Sequence, residues 1–187
     1  MKRTLVLIGI MALALATAPR VVAQSPKPFC AKGAMLVGTW AWQTMLPVAP
    51  GQQLPLPAVV TYHRDGTVTG ADGMMLGGLP VNPFRYTPLL GAWERTGQHS
   101  FRGTALFLRF DAATGTLVAI IRTRSHIEFG IDSDHIQGTM HADFLSCSTP
   151  LTCPEPTSAP LELWQPYGPV SDFSFMASRL HIVPIPE

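Results

Sequence analysis

Charge is scarce in this chain of 187 residues. Only 13% of the residues are charged, and 13 Lys and Arg stand against 12 Asp and Glu, so the formal net charge is +1. Proteins that bind nucleic acid or anionic membranes present a basic patch, and this composition predicts neither partner. Hydrophobic residues make up 47% of the chain. Such a chain must bury a sizeable core or expose apolar surface for a ligand.

Long apolar runs are missing beyond the start of the chain. The first residues combine a positive start (residues 1–3), an apolar run (residues 5–16) and small residues up to Ala23, the pattern of a secretory signal peptide over residues 1–23. An N-terminal anchor helix is the alternative, but roughly 20 apolar residues are needed to span a bilayer. We therefore expect a secreted or periplasmic protein that keeps no integral membrane segment after cleavage. Cleavage would remove three basic residues and change the formal charge from +1 to −2.

Cysteine is nearly absent, with three residues in the whole chain. Cys147 and Cys153 bracket a five-residue loop, so a local disulfide is the preferred pairing in an oxidising compartment. Cys30 would then be the odd thiol, although its pairing with either of the others stays open. The spacing does not match a zinc site, and no metal is expected.

Motifs that carry known chemistry are also missing. The chain has no Gly-x-Ser-x-Gly elbow, no His-Glu-x-x-His pair, no phosphate-binding loop and no dinucleotide fingerprint. The sequence therefore names no catalytic residue and no cofactor, and a non-enzymatic protein is the favoured interpretation. Two weaker patterns could mark metal sites, but each also has a simple structural explanation. His126, His141 and Glu128 could face one another as metal ligands or form a solvated strand face, and Asp132-Ser133-Asp134 could touch calcium or be a simple turn.

Helical periodicity is absent as well, and 18 Pro and 16 Gly residues punctuate short β-rich runs. The Asp65-Gly66 pair between two such runs predicts a hairpin. Consecutive hairpins favour an up-and-down barrel over a sandwich, and closure removes edge strands. We predict an all-β, antiparallel, roughly eight-stranded barrel over residues 36–182, after a flexible arm (24–35) and before a tail (183–187). The predicted strands are 36–46, 58–63, 67–71, 91–95, 100–110, 116–131, 135–146 and a last one within 161–164 or 172–180, with connections at 47–57, 73–90 and 148–160.

The predicted strand from Thr116 to Ile131 has the clearest alternation. Its odd positions are mostly apolar and include Thr123 and Ser125, whereas Arg122 and Arg124 occupy even ones. Period-two alternation indicates one face on a core and the other in water, so we place the aliphatic row inward. The reversed register would place the arginines inside, where an enzyme would be most credible, but unpaired charges are costly to bury.

Two Gly-x-Trp tripeptides stand at strand starts, Gly38-Thr39-Trp40 and Gly91-Ala92-Trp93. With the run Asp65 to Gly70, they resemble the lipocalin and wider calycin group, and exported bacterial proteins with lipocalin-like barrels. The resemblance covers about residues 37–144 and implies that Trp40 closes the barrel floor. Allene-oxide-cyclase-like barrels share the strand rhythm, so the resemblance is compatible with both binding and catalysis. No helix pattern follows the last strand.

Inward-facing residues of the predicted barrel form the candidate site. They would line either a filled core or a ligand cavity, because small eight-stranded barrels occur in both forms. Two hydroxyls in the set argue against a wholly dry core, since buried hydroxyls need partners. The leading hypothesis is an exported lipocalin-like barrel that binds a small apolar ligand. The alternatives are a cyclase- or isomerase-type barrel enzyme and a structural or interaction module with a filled core; the sequence does not indicate an oligomeric state. The candidate ligand-binding residues are Phe107, Ile121, Thr123, Ser125, Ile127, Phe129, Met140 and Phe144.

Overall fold

A computed structural model of the chain describes residues 35–49, 52–75, 83–130, 132–148, 152–167 and 171–181. The predicted signal peptide, nearly all of the predicted arm with Cys30, and the predicted tail lie outside these residues. The described parts contain ten strands and one turn of 3-10 helix at Leu161–Leu163. The strands are β1 (Gly38–Ala49), β2 (Gln52–Tyr62), β3 (Thr67–Asp72), β4 (Phe84–Tyr86), β5 (Leu89–Arg95), β6 (Ser100–Asp111), β7 (Leu117–Phe129), β8 (His135–Ser146), β9 (Trp164–Pro166) and β10 (Asp172–Arg179).

Eight of these strands close into an antiparallel barrel. The order runs β1-β2-β3-β5-β6-β7-β8, and β10 completes the ring by pairing with both β8 and β1. The short strands β4 and β9 extend the wall at one end, where β4 pairs with the part of β6 beyond β5 and β9 pairs with the part of β8 beyond β10. Neighbouring barrel strands follow one another along the chain almost throughout, which confirms the predicted all-β, up-and-down barrel. No helix in the described ranges has the length and apolar character needed to cross a membrane.

The orientation predicted for β7 is the one observed. Ile121 and Ile127 are fully buried inside the barrel, and Thr123 is buried between them. Arg122 and Arg124 lie on the outer face, where both contact Asp143. Arg122 is nevertheless largely buried, with 15% of its side chain exposed, because a segment of the chain covers that outer face.

The predicted connection at 47–57 is wrong: β2 begins at Gln52 and pairs with β1 along nearly its whole length. Pro55 and Pro57 are tolerated because β3 pairs with β2 only from Ala58 onward. The Pro57 carbonyl points away from β1 and accepts from the Gly73 N–H at 3.0 Å. The N–H and the carbonyl of a strand residue point to the same side, so the N–H that proline lacks would also point away from β1, where β3 has ended. The predicted loop at 73–90 likewise contains β4 and the start of β5.

The predicted hairpin between β2 and β3 is confirmed. Gly66 has a φ of 88°, a left-handed conformation that glycine adopts without steric cost. The Asp65 carboxylate accepts hydrogen bonds from the Thr67 N–H at 2.9 Å and from the Thr67 hydroxyl at 2.6 Å. This turn fixes the register of the two strands.

Trp40 closes one end of the barrel, here called the floor. Its ring is fully buried, and its indole N–H donates to the Leu36 carbonyl at 2.9 Å. The Arg179 guanidinium stacks over this ring at 4.3 Å and donates to the Val37 carbonyl. Above Trp40, aromatic rings including Phe101 and Phe129 pack edge to face. The floor is therefore a filled aromatic core, as the resemblance implied for Trp40.

An outer flap, residues 152–167, covers part of the β7–β8 outer face. The Cys147–Cys153 disulfide ties its start to the end of β8, which confirms the preferred pairing. At its other end, Trp164 packs against Ile120 and Leu145 and lies 3.8 Å from the Arg122 guanidinium. The flap thus supplies a third hydrophobic cluster outside the barrel.

Candidate functional site

A cavity of about 90 Å³ lies inside the barrel, beyond the aromatic floor. All eight barrel strands contribute inward side chains to its wall, and most of them are apolar. The far end of the barrel carries a second core cluster that includes Leu56, Met74, Tyr86 and Phe107. The cavity therefore separates two packed ends of one interior.

The cavity exists because small residues meet at one level of the barrel. Ala105, Thr123 and Ala142 are direct neighbours on β6, β7 and β8, so three adjacent strands present short side chains in one row. On β6, the next inward position toward the floor is Gly103, where an added Cβ would lie 2.8 Å from the Ser125 hydroxyl. Side chains this short leave the barrel unfilled at this depth, where larger side chains would close the space.

Polar groups interrupt the apolar wall at a few points. Thr44 and Thr123 are buried and bring hydroxyl groups to the lining. Burial raises the pKa of Tyr62 far above its usual range, so its phenol stays neutral. Trp42 stacks on Phe175 at 3.9 Å, and its buried indole N–H has no hydrogen-bond partner among the described atoms.

Asp72 is the only carboxylate in the described lining, which contains no His, Arg or Glu. Its Oδ1 accepts from the Met74 N–H at 2.9 Å. Desolvation raises the pKa of Asp72 above its ordinary value, against the opposing effect of the turn N–H groups of Met74 and Met75. The cavity thus holds one weakly acidic group.

A polar cluster stands at the end of the barrel opposite the floor. The hydroxyls of Tyr86 and Tyr167 lie 2.9 Å apart, and Tyr167 also lines the cavity. The charge of Arg109 acts on the Tyr167 hydroxyl and partly offsets the rise of its pKa, and the guanidinium lies 4.6 Å from the ring centre of Phe84 and 5.1 Å from that of Phe144. Burial and the Tyr86 hydroxyl raise the pKa of Tyr167 above its usual range.

Five of the eight candidate residues line the cavity, namely Phe107, Ile121, Thr123, Ser125 and Met140. The other three face inward at other depths. Ile127 and Phe129 belong to the floor core, whereas Phe144 packs with the cluster at the far end and contacts Arg109. Depth along the barrel, which period-two alternation does not encode, separates the two groups.

Sequence reasoning missed most of the polar groups near the cavity: Trp42, Thr44, Tyr62, Asp72, Arg109 and Tyr167. Counting every second residue from a known inward position finds some of them, because Arg109 follows Phe107 on β6 and Trp42 follows Trp40 on β1. Tyr167 gives no such signal, since it lies just beyond the short strand β9.

The outer-face patterns have structural explanations. His126 lies 3.2 Å from Glu128, and His141 pairs with Asp172 at 2.8 Å. Asp132 accepts from the Asp134 N–H at 2.8 Å and so caps its own turn. Within the described residues, no three His, Cys, Asp or Glu side chains come together as a metal site.

Comparison of the chain with protein-family models, curated proteins and solved structures gives no significant match. The class of protein is therefore defined by its own geometry. It is a closed, eight-stranded antiparallel β-barrel with two additional strands. One end of the barrel is filled, and the interior beyond it contains a small cavity.

Proposed function

We propose that this protein is an exported, lipocalin-like barrel that binds one small apolar molecule in its interior. The observation that carries the proposal is the row of Ala105, Thr123 and Ala142 across three adjacent strands. Cores normally pack to the density of organic crystals, so a level of short side chains around an apolar space is suited to a guest molecule.

The size of the cavity limits the guest. Ligand pockets for drug-sized molecules measure roughly 300–1,000 Å³, whereas an apolar cavity of roughly 150 Å³ takes benzene or xenon. At about 90 Å³, this cavity suits a xenon atom, a small ring or a short alkyl chain. A larger guest would require side chains at the far end to move.

Binding of xenon and benzene tests the proposal. We expect a saturable ¹²⁹Xe NMR shift and benzene binding by calorimetry in the wild type. Ala142→Leu fills the space and should weaken both by roughly tenfold or more, at a stability cost within the roughly 1–3 kcal/mol of overpacking. The matched control is Ala92→Leu, the same change at an exposed position on β5, which should leave both signals unchanged.

Two results would contradict the proposal. A wild type that shows no saturable binding of either probe would have a functionally filled interior and would fit a structural or interaction module. Equal binding by Ala142→Leu and the wild type, with both variants folded by circular dichroism, would place any bound probe outside this cavity.

A further inference from the structure

Arg109 is an inward-pointing cation at the far end of the barrel. It lies two residues beyond Phe107 on β6 and opposite the fully buried Ala119 of β7. The faces of Phe84 and Phe144 hold its guanidinium by cation–π contact. These rings come from β4 and β8, so the fold fixes this charge from two sides.

No carboxylate of the described residues forms an ion pair with this cation. Eleven of the twelve acidic residues are described, and none lies within ion-pair distance of Arg109. The twelfth is Glu187, the final residue of the chain, outside the described part. The buried Nε of Arg109 also has no hydrogen-bond partner among the described atoms. A buried donor without an acceptor costs free energy, so the position favours an anion from elsewhere.

Tyr167 links this cation to the cavity. Tyr167 forms part of the cavity wall, its hydroxyl lies 2.9 Å from the Tyr86 hydroxyl, and the charge of Arg109 acts on that hydroxyl. A chain of donors therefore runs from Tyr86 through Tyr167, with the free Arg109 Nε beside it. An amphipathic guest could place its apolar part in the cavity and its polar head in this cluster.

We propose that the ligand is a short-chain carboxylate whose head binds Arg109 and the tyrosine pair while its alkyl chain fills the cavity. The inference rests on the proposed function and adds the chemical class of the ligand. One guanidinium fork and one hydroxyl match the two oxygens of a carboxylate. Repulsion from Asp72, the carboxylate of the described lining, favours placing the anionic head against Arg109.

Hexanoate and 1-hexanol form a probe pair with the same chain and different heads. We expect hexanoate to bind the wild type more tightly by calorimetry at neutral pH. Arg109→Gln should weaken hexanoate by roughly tenfold or more, because charge-assisted hydrogen bonds are the strong ones, and should change 1-hexanol by less than about twofold. Arg85→Gln removes an equal charge from an exposed position on the neighbouring strand β4 and should change neither.

Tyr167→Phe keeps the ring and removes the hydroxyl, so it tests the same site if Arg109→Gln unfolds. It should weaken hexanoate by several-fold and spare 1-hexanol. Equal weakening of both probes, or hexanoate binding that is indifferent to both variants, would overturn the carboxylate inference. Binding of 1-hexanol without hexanoate would overturn it and leave the proposed function intact, whereas binding of neither probe, xenon nor benzene would overturn both.

Discussion

Two carboxylates of this barrel, the buried Asp143 and the half-buried Asp72, have opposite surroundings. Asp143, with 6% of its side chain exposed, accepts from Arg122 at 2.9 and 2.7 Å and from Arg124 at 2.8 Å. Asp72 faces the apolar cavity and has backbone donors, and no cation of the described residues pairs with it. A buried charge is stabilised by a partner and destabilised by desolvation, so the first carboxylate supports the fold and the second opposes it.

Replacing Asp72 by Asn should therefore stabilise the protein at neutral pH. Desolvation raises the folded pKa of Asp72 above the ordinary 3.8, so the folded state holds this proton more tightly than the unfolded chain. The stability that Asp72 contributes is therefore present below pH 3.8 and is lost as the pH rises through the folded pKa of this group. The Asn amide oxygen can still accept from Met74, so urea denaturation should show Asp72→Asn more stable at pH 7 and equal to the wild type at pH 3.

Asp65→Asn provides the control of opposite sign. Hydrogen bonds from the Thr67 side chain and backbone lower the pKa of Asp65, so its charge stabilises the fold above pH 3.8 and that contribution disappears as pH falls through the folded pKa. This variant should be less stable than the wild type at pH 7. An Asp72→Asn protein that is less stable than the wild type at pH 7 would contradict the desolvation argument.

At the residue scale, alternation predicted which side of β7 is buried but not what each inward residue does. Ile121 and Ile127 are equivalent in the pattern, yet one lines the cavity and the other belongs to the floor. The rule that charges face water also gives no hint of Arg109, whose position depends on aromatic rings from two strands remote in sequence.

At the scale of elements, the outer flap shows how a weakly paired segment is held. Strand β9 has three residues and, among the described strands, pairs with β8 alone, too little for a stable strand by itself. The disulfide at one end and the stack of Arg122 on Trp164 at the other fix it to the barrel. The cysteine spacing predicted the first attachment, whereas no local pattern predicted the second.

Opening the disulfide should loosen the flap and spare the barrel. A loop that spans a sequence separation of 6 is worth roughly 2 kcal/mol by chain entropy, and we expect that loss by urea denaturation for the Cys147→Ser, Cys153→Ser double variant. Limited proteolysis should cut it sooner near Leu161, which is 73% exposed. A reducing agent should lower the stability of the wild type by the same amount and leave that of the double variant unchanged. A loss below about 0.5 kcal/mol would mean that Trp164, and not the disulfide, is what fixes the flap to the barrel.

Strand prediction also failed at β2 for an identifiable reason. Proline disfavours a central strand, and Pro55 and Pro57 led to the prediction of a loop. Both lie where β2 has a neighbour on one side only, a condition that depends on the length of β3 and not on the local sequence.

At the scale of the whole molecule, turn chemistry and alternation sufficed to predict an antiparallel up-and-down barrel. The Asp-Gly hairpin and the consecutive strands β6, β7 and β8 carried that prediction. The volume of the cavity could not be predicted from the sequence, because it depends on which short side chains lie at the same depth once the barrel has closed.

The proposed export of the protein can be tested by the residue at which the mature chain begins. We expect the mature protein to begin at Gln24, and intact mass spectrometry of the extracellular or periplasmic fraction measures this directly. Ala23→Leu should block cleavage, because the site requires a small residue, whereas Ala14→Leu keeps the apolar run and should be processed normally. Full-length chain held in the membrane fraction of the wild type would instead favour an anchor helix.

The pairing of β10 with both β1 and β8 sets the order in which the barrel can assemble. The ring stays open along two strand edges until residues 172–179 are available, and those residues follow all seven other barrel strands in the chain. A chain truncated before Asp172 would keep both edges unpaired, and such edges recruit other chains. A chain cut before Asp172 would therefore be prone to aggregate, although it would keep every cavity-lining residue of the described part except Phe173.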